Sequence, residues 1–335
     1  MENSFPLAER LSAFEKFRKS LARKAKIYRT LTKPFRLAYI AAGILLLISA
    51  VLPFLAPVFL PFILAGLGLF IVEIILHNFV FKDPEGRFEK RFKEELIADL
   101  MAAYFPELTY QPRAMIKQEA VDFSGLFGRK IERYIGEDYF EGKVNGVGLR
   151  FSELRLLQEK YGLKEFFGDV ADEVLSSIFG GEDDFGDEQG NLVTVFNGLF
   201  FHLGFHMSFK GSLLILSQGS QWTEVFKKSH RRGRERVQTG DLDFDVCFEL
   251  YASPGLDLAQ VLLPATRNHL IRLQREQAPD LAASIRDGQM FVAIPSNKDL
   301  LEADLYKGLP SEEEVKDYLA EVRLIHEVVG DMYGK

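Results

Sequence analysis

Glu73 and His77 are ionisable residues one helical turn apart inside the most apolar stretch of the chain. Between residues 37 and 81 the only other ionisable side chain is Tyr39. A carboxylate is costly in hydrocarbon, so an intramembrane Glu is a candidate for function. Two roles fit this pair. It could carry protons, or it could form hydrogen bonds between helices that hold copies of the chain together.

Residues 227–236 form a strongly basic run that could bind anions. Anionic lipid headgroups, nucleic acid and a phosphorylated partner fit such a run, and a polar loop packed against an acidic segment is the alternative. No aromatic residue lies between the basic ones, and the chain has a net charge of −7, so we expect no nucleic-acid partner. The basic residues are Lys227, Lys228, Arg231, Arg232, Arg234 and Arg236.

The remaining reactive residue types do not form a recognisable catalytic or metal site. Residues 165–189 hold nine carboxylates but lack the spacing of a calcium loop, so we interpret them as a solvated acidic insertion. His202 and His206 lie four residues apart on a predicted strand, about 13 Å from each other, which is too far for one metal ion. Cys247, which we place on the acidic side of a strand, has no identifiable base. We therefore expect no catalytic residue, metal or cofactor.

Residues 37–81 have the length of two membrane spans. A spanning helix needs about 20 apolar residues, and this largely apolar segment is forty-five residues long, with three prolines near its middle. Proline interrupts a helix, so Pro53, Pro57 and Pro61 predict the turn of a transmembrane helical hairpin, with its apex near Pro57. The alternatives are a buried hairpin in a soluble core and a hairpin whose tip stays within the lipid.

The charge on either side of the hairpin predicts its orientation. Residues 1–36 carry a net charge of +7, residues 37–81 carry −1, and residues 82–335 carry −13. Basic residues also follow the hairpin directly, whereas its turn has none. Lys and Arg remain on the cytoplasmic side, so both termini should be cytoplasmic. A single cysteine agrees with a reducing compartment.

Two amphipathic helices are predicted to flank the hairpin. One is a basic helix over residues 1–36, and the other is a juxtamembrane stalk helix over residues 82–104. Antiparallel spans would bring these helices out side by side, so we expect the first to pack on the second. Binding of the first to lipid or a partner is the alternative. Its apolar stripe comprises Leu7, Leu11, Phe14, Phe17, Leu21, Ala25, Tyr28 and Leu31.

Residues 105–335 predict a cytoplasmic α+β domain built on antiparallel strands. Asn145-Gly146 and Asp287-Gly288 stand between alternating segments, which is the pattern of tight β-hairpins. A long strand is predicted from residue 192, with "GSLLILS" as its return strand, and "DFDVCFELYA" as one further alternating strand. Helices are expected at about residues 263–277 and 311–331.

The ordered pattern of these segments resembles a bacterial membrane family known as domain of unknown function 3137. The pattern consists of the two-span hairpin followed by "RYIGEDYFEGKVNGVGLRFSEL", "VFNGLFFHLGFHMSFKGSLLILS", "DFDVCFELYAS" and "DGQMFVAIP". The resemblance implies a two-pass protein of the bacterial inner membrane with a cytoplasmic domain, and partners among envelope membrane proteins. It implies no activity for any residue.

Two functions are consistent with these features. The first is a non-enzymatic interaction or scaffold module, anchored in the lipid bilayer and able to form homo-oligomers through its hairpin. The second is an enzyme or transporter accessory whose site is assembled from distant residues, or a proton-linked role for Glu73 and His77.

Overall fold

The computed structural model describes ten stretches of the chain, and these form two compact units. The described residues are 6–76, 84–127, 131–159, 192–204, 209–219, 233–276, 278–296, 305–316, 319–320 and 322–323. The first unit is Met1–Leu100 with Leu301–Glu312, and the second is Met101–Leu300 with Glu313–Lys335. The predicted α+β class is confirmed, because long apolar helices precede an antiparallel sheet with helices.

The first unit contains a helical hairpin. Helix α1 (Leu7–Val51) runs without interruption through the predicted boundary between the basic helix and the first span, with Pro34 inside it. A short 3-10 segment (Pro53–Leu55) leads into α2 (Ala56–Ile75), which packs along α1. Both helices are long and apolar enough to cross a membrane.

The turn of this hairpin lies before the predicted apex at Pro57. The chain reverses over residues 52–55, whereas Pro57 lies in the first turn of α2 and Pro61 lies inside that helix. A proline is tolerated in the first helical turn because its missing N–H would have no helical partner there. Only Pro53 of the three therefore belongs to the turn.

The segment after the hairpin forms the stalk and packs against α1. It consists of α3 (Pro84–Arg91), a π-helical stretch (Phe92–Ile97) and α4 (Ala98–Tyr104). Phe14 of α1 meets Phe92 edge to face at 6.5 Å between ring centroids, and the guanidinium of Arg91 lies 4.5 Å from the ring centre of Phe17. The predicted packing of the basic helix on the stalk is thus present. The stripe shifts at its end, where Thr32 is buried and Leu31 is exposed.

The second unit is built on an antiparallel sheet. In the described residues the sheet has nine strands in the order β1-β2-β3-β4-β9-β8-β5-β7-β6. The strands are β1 (Leu108–Gln111), β2 (Arg133–Val144), β3 (Val147–Glu159), β4 (Leu192–Gly204), β5 (Ser212–Ser217), β6 (Glu235–Val237), β7 (Phe248–Ala252), β8 (Ala282–Arg286) and β9 (Gln289–Pro295). The helices are α5 (Gln118–Ser124), α6 (Leu242–Cys247), α7 (Leu258–Val261) and α8 (Pro264–Glu276).

The two predicted hairpin turns are confirmed. Asn145 and Gly146 have φ values of 50° and 86° between β2 and β3, and Asp287 and Gly288 have 45° and 78° between β8 and β9. Helix α8 agrees with the predicted helix at 263–277. Of the helix predicted at 311–331, residues 312–316, 319–320 and 322–323 are helical, Ser311 precedes the helix, and the other residues lie outside the described part of the chain.

Two strand predictions are wrong. β5 is not the return strand of β4: β9 and β8 lie between them, and β5 pairs with β7 and β8. All six residues of β5 are buried, as a strand covered on both faces requires. The segment 243–252 is predicted as one strand, but residues 243–247 belong to helix α6, because the side chain of Asp241 caps the first turn of that helix. Cys247 is therefore the buried last residue of a helix.

Helix α5 covers one face of the sheet. Its buried residue Val121 joins a cluster with side chains of β3, β4 and β9, among them Leu154, Phe200 and Phe291. Gly125 ends the helix in the left-handed conformation at φ 63°. One end of α5 and the strands beside it form the cleft described below.

Candidate functional site

The two helices of the hairpin approach closely around a glycine. A Cβ atom placed on Gly66 would lie 2.3 Å from the Cβ of Ala42. One turn further along, the rings of Tyr39 and Phe70 meet edge to face at 5.3 Å between centroids. Small residues allow this approach of the backbones. The close packing brings the side chain of Glu73, nearer the stalk end of α2, against α1.

Glu73 is buried in this contact, with 7% of its surface exposed. Its Oε1 atom accepts a hydrogen bond from Arg36 Nε at 2.7 Å, and the hydroxyl of Tyr28 lies 3.5 Å from the same oxygen. Its Oε2 atom is buried and has no hydrogen-bond partner among the described residues. A buried charge is costly without a partner, so the guanidinium of Arg36 stabilises the carboxylate of Glu73 in this contact.

Arg36 is the partner of Glu73 that sequence analysis missed. The predicted pair was Glu73 with His77, but His77 lies outside the described residues. In the sequence, Arg36 belongs to the basic flank, 37 residues from Glu73. The positions become neighbours only because the hairpin turns at residues 52–55. The carboxylate therefore bonds across one hairpin, a contact that does not need a second copy of the chain.

Of the predicted basic run, the structure describes only Arg234 and Arg236. Arg234 donates from Nε to Ser212 Oγ at 2.9 Å, and both burial and the nearby Arg286 lower its pKa. Arg236 lies 3.7 Å from a carboxylate oxygen of Glu249. Both arginines thus contact residues of the sheet. Lys227, Lys228, Arg231 and Arg232 lie outside the described residues, as does the acidic insertion 165–189.

A cleft of about 480 Å³ opens between α5 and the sheet in the second unit. The strands contribute polar side chains to it, and α5 with the residues before it contributes Lys117, Glu119 and an apolar wall that includes Phe123. The volume falls in the range of small-molecule sites in proteins. The polar strand residues are Tyr139, Glu141, Arg150, His202 and Gln289.

Strand register lines up the polar groups of the cleft. Glu141 of β2 pairs with Arg150 of β3, which pairs with His202 of β4, which pairs with Phe291 of β9. Directly paired residues lie on the same face of a sheet. Arg150 Nε donates to Glu141 Oε1 at 2.9 Å. The imidazole of His202 stacks on the ring of Phe291 at 4.7 Å between centroids.

The electrostatics of the cleft favour an ion pair next to a neutral imidazole. The hydrogen bond from Arg150 lowers the pKa of Glu141, and burial followed by the charge on Glu141 raises the pKa of Tyr139. Burial lowers the pKa of His202, although its hydrogen bond to Gln289 acts in the opposite direction. His202 Nε2 lies 2.6 Å from Gln289 Oε1, so this nitrogen carries the proton that is donated to the amide oxygen.

The sequence predicts His202 and His206 as histidines on the polar face of a strand, too far apart to share a metal ion, and does not predict the cleft. His206 lies outside the described residues. Among the residues that the structure describes, no group of three His, Cys, Asp or Glu side chains could hold a metal ion. The available signal was one polar residue of the cleft on each of several strands, namely Glu141, Arg150, His202 and Gln289. Only the pairing of those strands shows that the positions meet.

Comparison with known proteins gives one family and one solved structure. Residues 194–333 match the family described as protein of unknown function (DUF3137). No curated protein matches the chain. The crystal structure of the mycobacterial trehalose monomycolate transport factor A, TtfA, aligns over 72% of this chain and 93% of that chain, at 10% identity and a TM-score of 0.33. A TM-score this low supports neither a shared fold nor a shared function.

The family match covers a shorter segment than the resemblance noted from the sequence. It begins within β4 and includes the predicted motifs from there to "DGQMFVAIP", whereas the hairpin and the β2–β3 segment precede it. The described parts of these motifs are sheet strands, their turns and one short helix, and the match lies in the second half of the chain. The match over residues 194–333 thus supports the predicted resemblance to the family of proteins of unknown function DUF3137 for this part of the chain.

Proposed function

We propose that this protein is a membrane-anchored interaction module of the bacterial inner membrane, with both termini and the sheet domain in the cytoplasm. Its partners would be envelope membrane proteins, together with a second copy of the chain through the hairpin. The observation that carries the proposal is the exposure of the apolar hairpin. Only 6% and 11% of the residues in its most apolar windows are buried. A core helix of a soluble protein would bury most of them.

The ion pair of the hairpin fits a membrane boundary. Arg36 lies fifteen residues before the end of α1, or about 22 Å, and Glu73 lies eighteen residues after the turn, or about 27 Å. The hydrocarbon core of a bilayer is about 30 Å thick. A hairpin whose turn reaches the far side would therefore hold this pair close to the near side, where the exposed part of Arg36 can contact water and lipid phosphates.

The basic flanks support the proposed orientation. Helix α1 continues from the apolar segment into a basic segment with a net charge of +7, and Lys90 and Arg91 end α3 on the returning chain. Segments rich in Lys and Arg next to a membrane span remain on the cytoplasmic side. Reporter fusions after Tyr104 and at Lys335 should both give cytoplasmic signals, and a periplasmic signal from either would contradict the orientation.

Membrane extraction tests the anchor itself. The full-length protein should stay in the membrane pellet at high pH and enter solution only with detergent. Replacing the exposed Leu47 and Leu64 by Arg should release it, because each Arg at the centre of a span costs about 2.5–3.5 kcal/mol. The matched control is Val246→Arg on α6, which is equally exposed but lies in the sheet domain. If the double variant and the control are released from the membrane to the same extent, the result would contradict the anchor.

Crosslinking tests the docking part of the proposal. A photoreactive residue at the exposed position Phe62 of α2 should form adducts in native membranes with a second copy of the chain or with another membrane protein. Mass spectrometry would identify the adducts. Adducts with lipid only would contradict an interaction through this helix.

A further inference from the structure

The cleft between α5 and the sheet has the construction of a small-molecule site. Its polar floor comes from four strands of one continuous sheet, and its wall comes from a helix whose other side chains enter the core. Rigid elements hold a binding constellation more precisely than loops do. The cleft lies within the second unit and includes no residue of the hairpin.

The charges lining the cleft are balanced. Lys117 and Arg150 contribute two positive charges, and Glu119 and Glu141 contribute two negative ones. Arg150 is already paired with Glu141 at 2.9 Å. An anionic ligand would face two carboxylates, and a cationic ligand would face an ammonium and a guanidinium. The lining therefore disfavours a ligand with net charge of either sign.

The polar groups present donors and acceptors next to one another. A guanidinium and an ammonium only donate, a carboxylate only accepts, and an amide does both. A hydroxyl group can donate to the carboxylate of Glu141 and accept from Arg150 without disrupting the ion pair. Ligands with several hydroxyl groups can use such alternating partners repeatedly, with Gln289 and Tyr139 as further partners.

The wall of the cleft supplies an apolar surface opposite these groups. Ile116, Ala120 and Phe123 line it from the α5 side. A molecule with hydroxyl groups along its edge and C–H groups on its face would cover the polar floor and the apolar wall together. We propose that the cleft binds a small, uncharged, hydroxyl-rich molecule of the size of a sugar or cyclitol.

Binding should be measured on the full-length protein in lipid nanodiscs prepared without glycoside detergents, which would themselves occupy the cleft. The probes are glucose, maltose and inositol, with glutamate and spermidine as charged counterparts. Saturation-transfer NMR should detect saturable binding of at least one neutral probe, and isothermal titration should give its Kd. Saturable binding of only the charged probes, or of none of the five, would overturn the proposal.

Variants test whether the binding takes place in the cleft. Arg150→Ala and Glu141→Ala should each weaken binding by about tenfold, the expected effect of losing one hydrogen bond to a charged group. Arg133→Ala is the matched control, since Arg133 is exposed at the other end of β2. An unchanged Kd in the cleft variants would overturn the assignment.

A measurement on the unmodified protein covers the case in which these variants misfold. The neutral probe that binds should shift the ring signals of His202 in the wild type, because this side chain lines the cleft. Saturable binding of the probe without a shift of the His202 ring signals would also overturn the assignment.

Discussion

Arg36 Nε lies 2.7 Å from Glu73 Oε1, which joins the two helices of the hairpin by an ion pair near the end away from the turn. The carboxylate side chain is buried, whereas the guanidinium is half exposed. The second carboxylate oxygen is buried without a partner in the described residues. The contact therefore depends on Arg36 as the countercharge of Glu73.

Removal of Glu73 should destabilise the hairpin. Glu73→Leu leaves Arg36 without its partner, and we expect a loss of about 1–3 kcal/mol in the free energy of unfolding. Glu73→Gln should cost less, because the amide can still accept from Arg36. The measurement is equilibrium unfolding of the purified protein in bicelles by increasing fractions of SDS, followed by circular dichroism.

The double variant provides the control for this prediction. Arg36→Leu with Glu73→Leu should recover part of the lost stability, since neither charge is then left alone. If the effects of the two single changes simply add, the pair does not contribute a coupled interaction.

Gly66 should not tolerate a methyl group, whereas Gly68 should. Gly66→Ala places a Cβ atom within 2.3 Å of Ala42, and we expect overpacking to cost about 1–3 kcal/mol. Gly68 is the matched control because its Cβ would meet no atom within 4 Å. Gly68→Ala should be neutral or stabilising by up to about 1 kcal/mol, the difference in helix propensity.

The distance between spin labels at Leu46 and Leu64 gives a second measure of this contact. Both positions are exposed, and the labels should move apart in Gly66→Ala only. If the labels move apart in both Gly66→Ala and Gly68→Ala, the result would contradict the close approach at Gly66.

Gly198 should be required at its position in β4. Its φ of 145° lies in a region that other residues rarely adopt, and a Cβ atom there would lie 2.2 Å from the carbonyl oxygen of Ile294. Gly198→Ala should therefore lower the free energy of unfolding by about 1–3 kcal/mol from strain alone. Thermal unfolding of the full-length protein, followed by near-ultraviolet circular dichroism, measures the change.

Gly148 of β3 is the control for Gly198. It lies on a strand that pairs with β4, and its Cβ would meet no atom within 4 Å. Gly148→Ala should leave the unfolding temperature unchanged or raise it. If Gly148→Ala lowers the unfolding temperature as much as Gly198→Ala does, any side chain added on these strands would be destabilising and the prediction for Gly198 would be wrong.

His202 should make the stability of the protein depend on pH. Burial lowers the pKa of His202 in the folded state below its unfolded value of about 6.5. The unfolded state then binds more protons between these two pKa values, so stability should fall as pH decreases below about 6.5. Denaturant unfolding from pH 8 to pH 5 should show this slope.

Replacement of His202 separates its contribution to the pH dependence of stability from the contributions of the other titrating groups. His202→Phe keeps an aromatic ring against Phe291 but removes the titrating group, so the slope below pH 6.5 should become smaller. In the wild type, NMR titration of the His202 ring should give a midpoint below 6.5. A slope that is the same in both proteins would contradict the prediction.

The sequence by itself determined the elements that depend on local chemistry. Forty-five residues without Lys or Arg predict the apolar hairpin, the turn residues at 145–146 and 287–288 predict two β-hairpins, and the α+β class follows from them. These features depend on hydrophobicity, chain length and backbone conformation, which neighbouring residues specify.

Local sequence patterns gave wrong predictions where a capping side chain or a strand distant in sequence determines the structure. The alternation in residues 243–252 predicts one strand, but the Asp241 side chain caps a helix over the first part of this segment. The order of the strands also differs from the predicted order. The segment "GSLLILS" is equally apolar on both faces, so its sequence does not indicate which strands pair with it. β5 therefore pairs with β7 and β8, which follow it in the sequence.

Only the tertiary structure decided which polar residues meet. The side chains of Arg36 and Glu73 meet because α1 and α2 pack at Gly66, and Glu141, Arg150 and His202 line one cleft because β2, β3 and β4 pair in one register. A shift of one residue in that register would move each side chain to the opposite face of the sheet. Such contacts join residues distant in sequence, and residue type alone does not specify their partners.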